Sequence, residues 1–261
     1  GVAAARNLGI DLAKGKYLTF VDGDDYIGKD YLKDLYETAE AAQAQMVICG
    51  FCYTGEAGEI IKKVIPGEYR KYEGEEWAFR IAAVWAHLYL RELWENYQVR
   101  FCPGERGEDL PISLFFTTVC DKIATLSDAE YYYVQHTSSA MHNFRGLKKF
   151  NLPYEALEET IRKIQKFGIS NSPEFYELFV LRILATCYFD LSRGAARNKK
   201  RELCSYIYRI LNVYFPKYYK NKKTRIFSGL SIPFYQRIAV KCLMILVRTR
   251  LLYPVSVLVC R

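Results

Sequence analysis

Three features of the sequence predict an α/β layer followed by a helical region. The segment YLTFVDGDDYI, residues 17–27, opens as an apolar strand between two stretches of helical spacing. Further β-branched and aromatic strand segments recur as far as AEYYYVQHTSS. From about Gly146 the period changes, and helical spacing dominates 153–168, 173–193, 199–215 and 232–251, separated by short basic or Pro/Gly breaks. The boundary is expected near residue 145, giving a layer at 1–145 and a helical region at 146–261.

Each element follows from local pattern. VAAARNLGIDLAKG reads as a helix whose apolar face is Ala5, Leu8, Leu12 and Ala13, with Gly15 as its stop. KYLTFVD is then a buried strand of the parallel-sheet type, and KDYLKDLYETAEAAQA the helix after it. QMVICGFCYT is a strand, EIIKKVIPGEYRKY a hairpin-like excursion, and GEEWAFRIAAVWAHLYLREL mainly helical. The charged Gly/Pro loop CPGERGEDLP leads into ISLFFTTVCDKIATLS, and AEYYYVQHTSS is a further strand. No internal repeat is visible.

Composition narrows the classes. With 261 residues, 51% apolar and 25% charged, the chain has material for one large or two small folded domains and is not a disordered polymer. The net charge of +8 points to an anionic partner. No run reaches about 18 uncharged apolar residues, so no convincing membrane span is expected, and no signal peptide is visible. The chain opens at Gly1 inside a helix, which reads as a fragment or a processed product. Eight cysteines are scattered through apolar segments without disulfide spacing, favouring a reducing cytoplasm. The CGFC pair, Cys49 and Cys52, has redox spacing but lies in a strand pattern rather than at a helix N-terminus.

Asp22, Asp24 and Asp25 crowd one glycine at a strand's end, where α/β folds place ligands. A helix cap accounts for one such aspartate, not three. The D-x-D spacing puts Asp22 and Asp24 on one side of an extended chain, where both can serve a hard divalent cation that shares its remaining positions with phosphate oxygens.

GVAAARNLGIDLAKGKYLTFVDGDDYI resembles the central segment of family 2 glycosyltransferases of the GT-A fold, whose pattern is G-x-S-x-A-R-N-x-G followed by a K-G-x-Y strand ending in D-x-D-D. AVWAHLYLRELWENYQVRFCPGERGEDLPIS resembles the acceptor-side segment of that family, a W-x-K-L-Y block and a GED motif, and YYYVQHTSSAMH resembles its last catalytic strand and loop. The resemblance covers roughly the first 145 residues. It implies a nucleotide-diphospho-sugar layer lacking its first strands, then a helical C-terminal region. It further implies that Asp24 holds Mn²⁺ or Mg²⁺ against the donor diphosphate, Asp22 contacts ribose or donor sugar, and Asp25 supports them. Arg6 and Asn7 would brace the loop and donor. Asp109 takes the position of the general base, with Glu108 as its rival and Trp85 and His87 on the acceptor side. One base opposite the leaving group implies single displacement with inversion.

The sequence departs from that pattern at Ala3, at His87 in place of lysine, and at Val134 and His136 in place of two arginines. His136 retains the capacity to donate a hydrogen bond or bind metal, and Ser139 matches the serine of the same loop. The first half of the family's nucleotide-binding layer, with its base-reading strand and aspartate, is not in this sequence, so the expectation is either that it precedes Gly1 in the natural protein or that the chain is a remnant that binds its donor poorly.

KNKKTRIFSGLSIPFYQRIAVKCLMILVRTRLLYPVSVLVCR joins a basic cluster to a long amphipathic run, which suits a helix in lipid headgroups as well as one packed on the layer. The family resemblance implies a nucleotide sugar of the UDP type as donor and, together with this tail, a lipid-linked or glycan acceptor and the inner face of the cell membrane as a peripheral contact, while the placing of the positive charge among aliphatic residues argues against nucleic acid. The product class is a cell-surface or secreted polysaccharide. Two other classes fit less well. A haloacid dehalogenase-type phosphohydrolase lacks its later lysine and paired-aspartate strand end, and a non-catalytic remnant would keep the fold without donor affinity. A calcium loop is excluded by Ile27 at its sixth position.

Overall fold

The computed structural model describes residues 1–66, 83–102, 107–136, 154–168, 172–226 and 232–259. Six strands, β1 (Tyr17–Thr19), β2 (Tyr26–Ile27), β3 (Met46–Thr54), β4 (Ile60–Val64), β5 (His87–Leu90) and β6 (Ile123–Val134), form one mixed sheet, five of them in the order β1-β5-β3-β6-β2 and β4 paired with β3 off that path. β3 is its centre, and its near-continuous apolar run is buried over eight of its nine residues. Its first half pairs antiparallel with β5 and its second half antiparallel with β4, while β6 runs parallel along the other edge. Cys49 and Cys52 are buried thiols within this strand and form no disulfide, as the strand pattern of CGFC predicts.

β1 differs from expectation. It is half-buried, stops at Thr19 and pairs antiparallel with β5, so it is not a buried strand of parallel type reaching Asp22. The chain turns instead, the Asp25 amide donating to the Asp22 carbonyl at 3.1 Å before β2 pairs with β6. The segment expected to be helical at 74–93 also changes: His87–Leu90 is strand β5, because alternate pairing with β1 and β3 satisfies its backbone and buries His87 and Tyr89. Residues 74–82 of that segment, and 67–72 of the hairpin-like excursion, lie outside the described residues.

The helices are α1 (Val2–Leu12), α2 (Tyr31–Ala42), α3 (Arg91–Asn96), α4 (Leu110–Val119), α5 (Tyr154–Phe167), α6 (Pro173–Thr186, continued by a π-turn at Cys187–Leu191), α7 (Arg197–Tyr214), α8 (Phe234–Arg248) and α9 (Leu252–Val259). The face of α1 turned inward is not Ala5, Leu8 and Leu12, which are exposed, but Ala3, Arg6, Asn7 and Ile10. That set also has helical spacing, and it is chosen by the polar partners of Arg6 and Asn7. The expected helix at 232–251 divides at Arg250, which adopts φ 58° between α8 and α9.

α4 joins the layer to the helices. After its first residue it is buried on every side, so it behaves as a core element rather than an amphipathic surface helix. Thr117 and Thr118 donate to the carbonyls of Ser113 and Leu114, both at 2.6 Å, which satisfies their hydroxyls in this apolar setting. Phe116 packs on Tyr89 of β5 and Trp94 of α3, while α5 and α6 pack on α4, and one apolar core runs from the sheet into the helical region. The boundary expected near 145 falls in 137–153, outside the described residues.

Phe116 is fully buried at this junction. Phe116→Ala is expected to lower the unfolding free energy by about 3–5 kcal/mol, the cost of lost transfer energy and a cavity, measured by urea titration.

Candidate active site

The turn after β1, the end of β6 and the segment before α4 meet around Arg6. The Arg6 guanidinium donates to Asp22 Oδ1 at 2.6 Å and to Glu108 Oε1, 102 residues further along the chain, at 2.9 Å. Its carbon lies 5.3 Å from the centre of the Phe101 ring, so the cation is backed by an aromatic face. Asn7, one residue on, exchanges two hydrogen bonds with the Phe101 backbone, at 2.8 and 2.9 Å. A side-chain amide is thereby used as a strand-like clip, and it sets the depth of α1 against the acceptor-side segment.

Tyr131 organises the aspartate turn. Its hydroxyl accepts from the Asp22 amide at 3.2 Å and donates to Asp25 Oδ2 at 2.6 Å, and the Val134 amide donates to Asp25 Oδ1 at 2.9 Å. Both oxygens of Asp25 are thus engaged in holding the turn to β6. Burial outweighs those donors and holds the Asp25 pKa above its ordinary range. Asp22 and Asp24 lie in a turn rather than an extended chain. Asp24 is exposed and has no hydrogen bond or ion pair to a described residue. It lines an open cleft with Tyr26, Glu56, Gly58, Val134 and His136. His136 Nδ1 lies 3.2 Å from Glu56 Oε1, and its Nε2 is buried without a partner among the described residues. Ser139 lies outside the described residues.

On the acceptor side, Gly107 adopts φ 68°, a left-handed conformation that favours glycine, and turns the chain into α4. Asp109 occupies the N-cap position yet makes no capping bond with its side chain. Its carboxyl is pushed up to about 7, first by burial and then by the charge of Glu108. Glu108 is itself tied to Arg6, so the two neighbouring acids stand in different electrostatic states. Trp85 stacks against Tyr131 and Tyr133, with ring centres 5.0 and 5.1 Å away, and meets the edge of Phe51. His87 does not reach this surface. It is fully buried, donates from Nδ1 to the Trp85 carbonyl at 2.5 Å, and burial lowers its pKa to about 4. A lysine-like cation is therefore not supplied from position 87.

Tyr131, Tyr133 and Phe101 were not singled out from sequence. The available signal was period two: in YYYV, Tyr131 and Tyr133 share one face and Tyr132 takes the other, where it stacks on Tyr26. Among the described residues, no group of three or more His, Cys, Asp or Glu side chains is placed to hold a metal ion.

Residues 1–97 match the model of glycosyl transferase family 2. The chain is 32% identical over 212 residues to the uncharacterized glycosyltransferase EpsJ of Bacillus subtilis, covering 76% of this chain and 57% of the relative. It is 31% identical over 147 residues to the glycosyltransferase GlyA of Streptococcus pneumoniae, covering 51% of this chain and 21% of the relative. The chain therefore spans less than two thirds of these curated relatives. Its fold is that of S. aureus TarS 1-349, solved in complex with UDP-GlcNAc, at a TM-score of 0.60 and 18% identity, covering 90% of this chain and 67% of that one. The architecture is thus the GT-A type.

A carboxyl whose folded pKa lies above its unfolded value contributes stability while protonated. For Asp109 that contribution is full below the ordinary value of 3.8 and is lost as pH rises through about 7. Asp109→Asn, which mimics the protonated form, is expected to gain thermal stability over the wild type as pH is raised through that window. Parallel melting curves for the two proteins across the window would mean the carboxyl is not perturbed.

Proposed function

Because residues 1–97 belong to glycosyl transferase family 2, we propose that the protein serves to transfer a sugar from a nucleotide-diphosphate donor to an acceptor hydroxyl with inversion. The observation that carries the reading is the division of labour around Arg6. Two of the acids, Asp22 and Glu108, share one guanidinium, while Asp24 faces the cleft without a partner among the described residues and the Asp109 carboxyl is pushed up to about 7. A base poised near the working pH is the kind that removes a hydroxyl proton efficiently. Asp109 is assigned to take the proton from the attacking hydroxyl, on the side of the cleft opposite the donor. Arg6 holds the two halves in register, and Asn7 fixes α1 beneath them.

The donor set fits a hard divalent cation, Mn²⁺ or Mg²⁺, with Asp24 as the principal ligand and Asp22 beside it. Such an ion takes few protein carboxylates and fills its other positions with substrate phosphate and water oxygens. When bound it would offset charge developing on the departing diphosphate. His136, whose Nε2 has no partner among the described residues, is assigned as a hydrogen-bond donor to the same diphosphate, replacing part of an arginine clamp. Trp85, braced by Tyr131 and Tyr133, supplies an aromatic wall on the acceptor side. The TarS structure containing UDP-GlcNAc supports a donor of the UDP-sugar class. The acceptor class is a glycan or lipid-linked hydroxyl in surface or secreted polysaccharide assembly, met from the cytoplasm at the inner face of the membrane.

The test is release of UDP from UDP-sugars by the purified protein with Mn²⁺ and a hydroxyl acceptor. Asp24→Ala is expected to abolish release with an unchanged melting temperature, and a wild-type rate in that variant would sink the metal assignment. Asp109→Asn is expected to lower turnover by about 10²–10⁴-fold while calorimetry shows donor binding intact. Equal loss of binding and turnover would instead make Asp109 a structural residue.

A further inference from the structure

α8 presents two unlike faces. Val240, Leu243, Met244 and Val247 are buried, with α8 packed on α6. On the opposite side Phe234, Ile238 and Ile245 are exposed, at 58%, 40% and 51%. Their spacing of four and seven residues aligns them in one stripe along the helix. Lys241 and Arg248, seven and fourteen residues after Phe234, border the same stripe, and the Arg248 guanidinium lies 5.9 Å from the centre of the exposed Tyr219 ring. Apolar residues turned to solvent beside cations are costly in a surface that only faces water.

Charge identifies the occupant. From residue 203 to 261 the chain carries eleven lysines and arginines and no aspartate or glutamate. A second copy of the chain would bring the same positive charge against itself. A soluble polyanion would pair with the cations but leave the Phe234, Ile238 and Ile245 side chains in water. An anionic lipid surface takes up both: the stripe enters the acyl boundary, while Lys241 and Arg248 extend to the phosphates. Among the described residues no helix is long and apolar enough to cross a membrane, which suits a helix lying in the interface.

We propose that the outward face of α8, built on Phe234, Ile238 and Ile245 and bordered by Lys241 and Arg248, docks the protein on an anionic bilayer surface. This deepens the membrane placement proposed above but does not depend on the transfer chemistry.

The experiment is co-sedimentation of the full chain with phosphatidylcholine vesicles, with and without phosphatidylglycerol, read without any turnover. The wild type is expected to bind the anionic vesicles and to lose most binding at high salt. The double variant Ile238→Glu/Ile245→Glu, whose sites are exposed and whose folding is checked by its melting curve, is expected to bind at least about tenfold more weakly. Lys241→Glu/Arg248→Glu is expected to fall by a similar factor on anionic vesicles alone. Undiminished binding by the folded glutamate variant overturns the proposal. So does equal binding to neutral and anionic vesicles, or a wild-type dimer in solution that the glutamate variant dissociates. Loss of UDP release with vesicle binding intact would overturn the transferase reading and leave this one standing.

Discussion

The guanidinium of Arg6 lets three neighbouring acids stand together. Asp22, Glu108 and Asp109 come from two segments distant in sequence, and their charges would push those segments apart without a cation between them. Arg6 is only 11% exposed, donates to two of the three and rests on Phe101, so its charge acts where water screens it little. Such a bridge is costly to break from one side, because the abandoned carboxylates of Asp22 and Glu108 stay partly buried. The inward orientation of α1 follows from the same contact. A helix choosing its face by hydrophobicity alone would have buried Leu8 and Leu12.

A second constraint acts at the turn. Tyr131 and the Val134 amide use both oxygens of Asp25, which ties the aspartate turn to the end of β6. With Asp25 committed to structure and Asp22 committed to Arg6, Asp24 is left projecting into the cleft. Burial raises the Asp109 carboxyl, so a neutral residue would serve local stability better at that position. Groups held in unfavourable electrostatic states where a ligand would relieve them are the usual mark of a working site.

The helical region is not an appendage hung from the layer. α4 passes through the junction buried on every side, and its aromatic residues pack on β5 and α3 while α5 and α6 pack against it. Motion of the segment carrying Glu108 and Asp109 is therefore coupled to both parts of the core. α8 lies farther out, with one face spent on α6 and the other turned to solvent.

Much of this could be read directly from the residues. The strand–helix alternation, the strand character of CGFC, the long C-terminal helices and the acidic turn all rest on short-range periodicity, which the chain carries locally. The D-x-D-D and GED groups likewise declare themselves by residue type and spacing. Other features depended on partners far away in sequence. Whether His87 sits in a helix or a strand was decided by β1 and β3 on either side of it. The inward face of α1 was decided by Asp22, Glu108 and the Phe101 backbone. The role of Tyr131 exists only once β6 lies against the aspartate turn, and the raised pKa of Asp109 exists only once Glu108 and the core surround it. Local pattern determined which elements form and which acids are available. The tertiary structure alone decided which acid is paired, which is buried and which faces the cleft, because those states are set by distances between segments that no local pattern encodes.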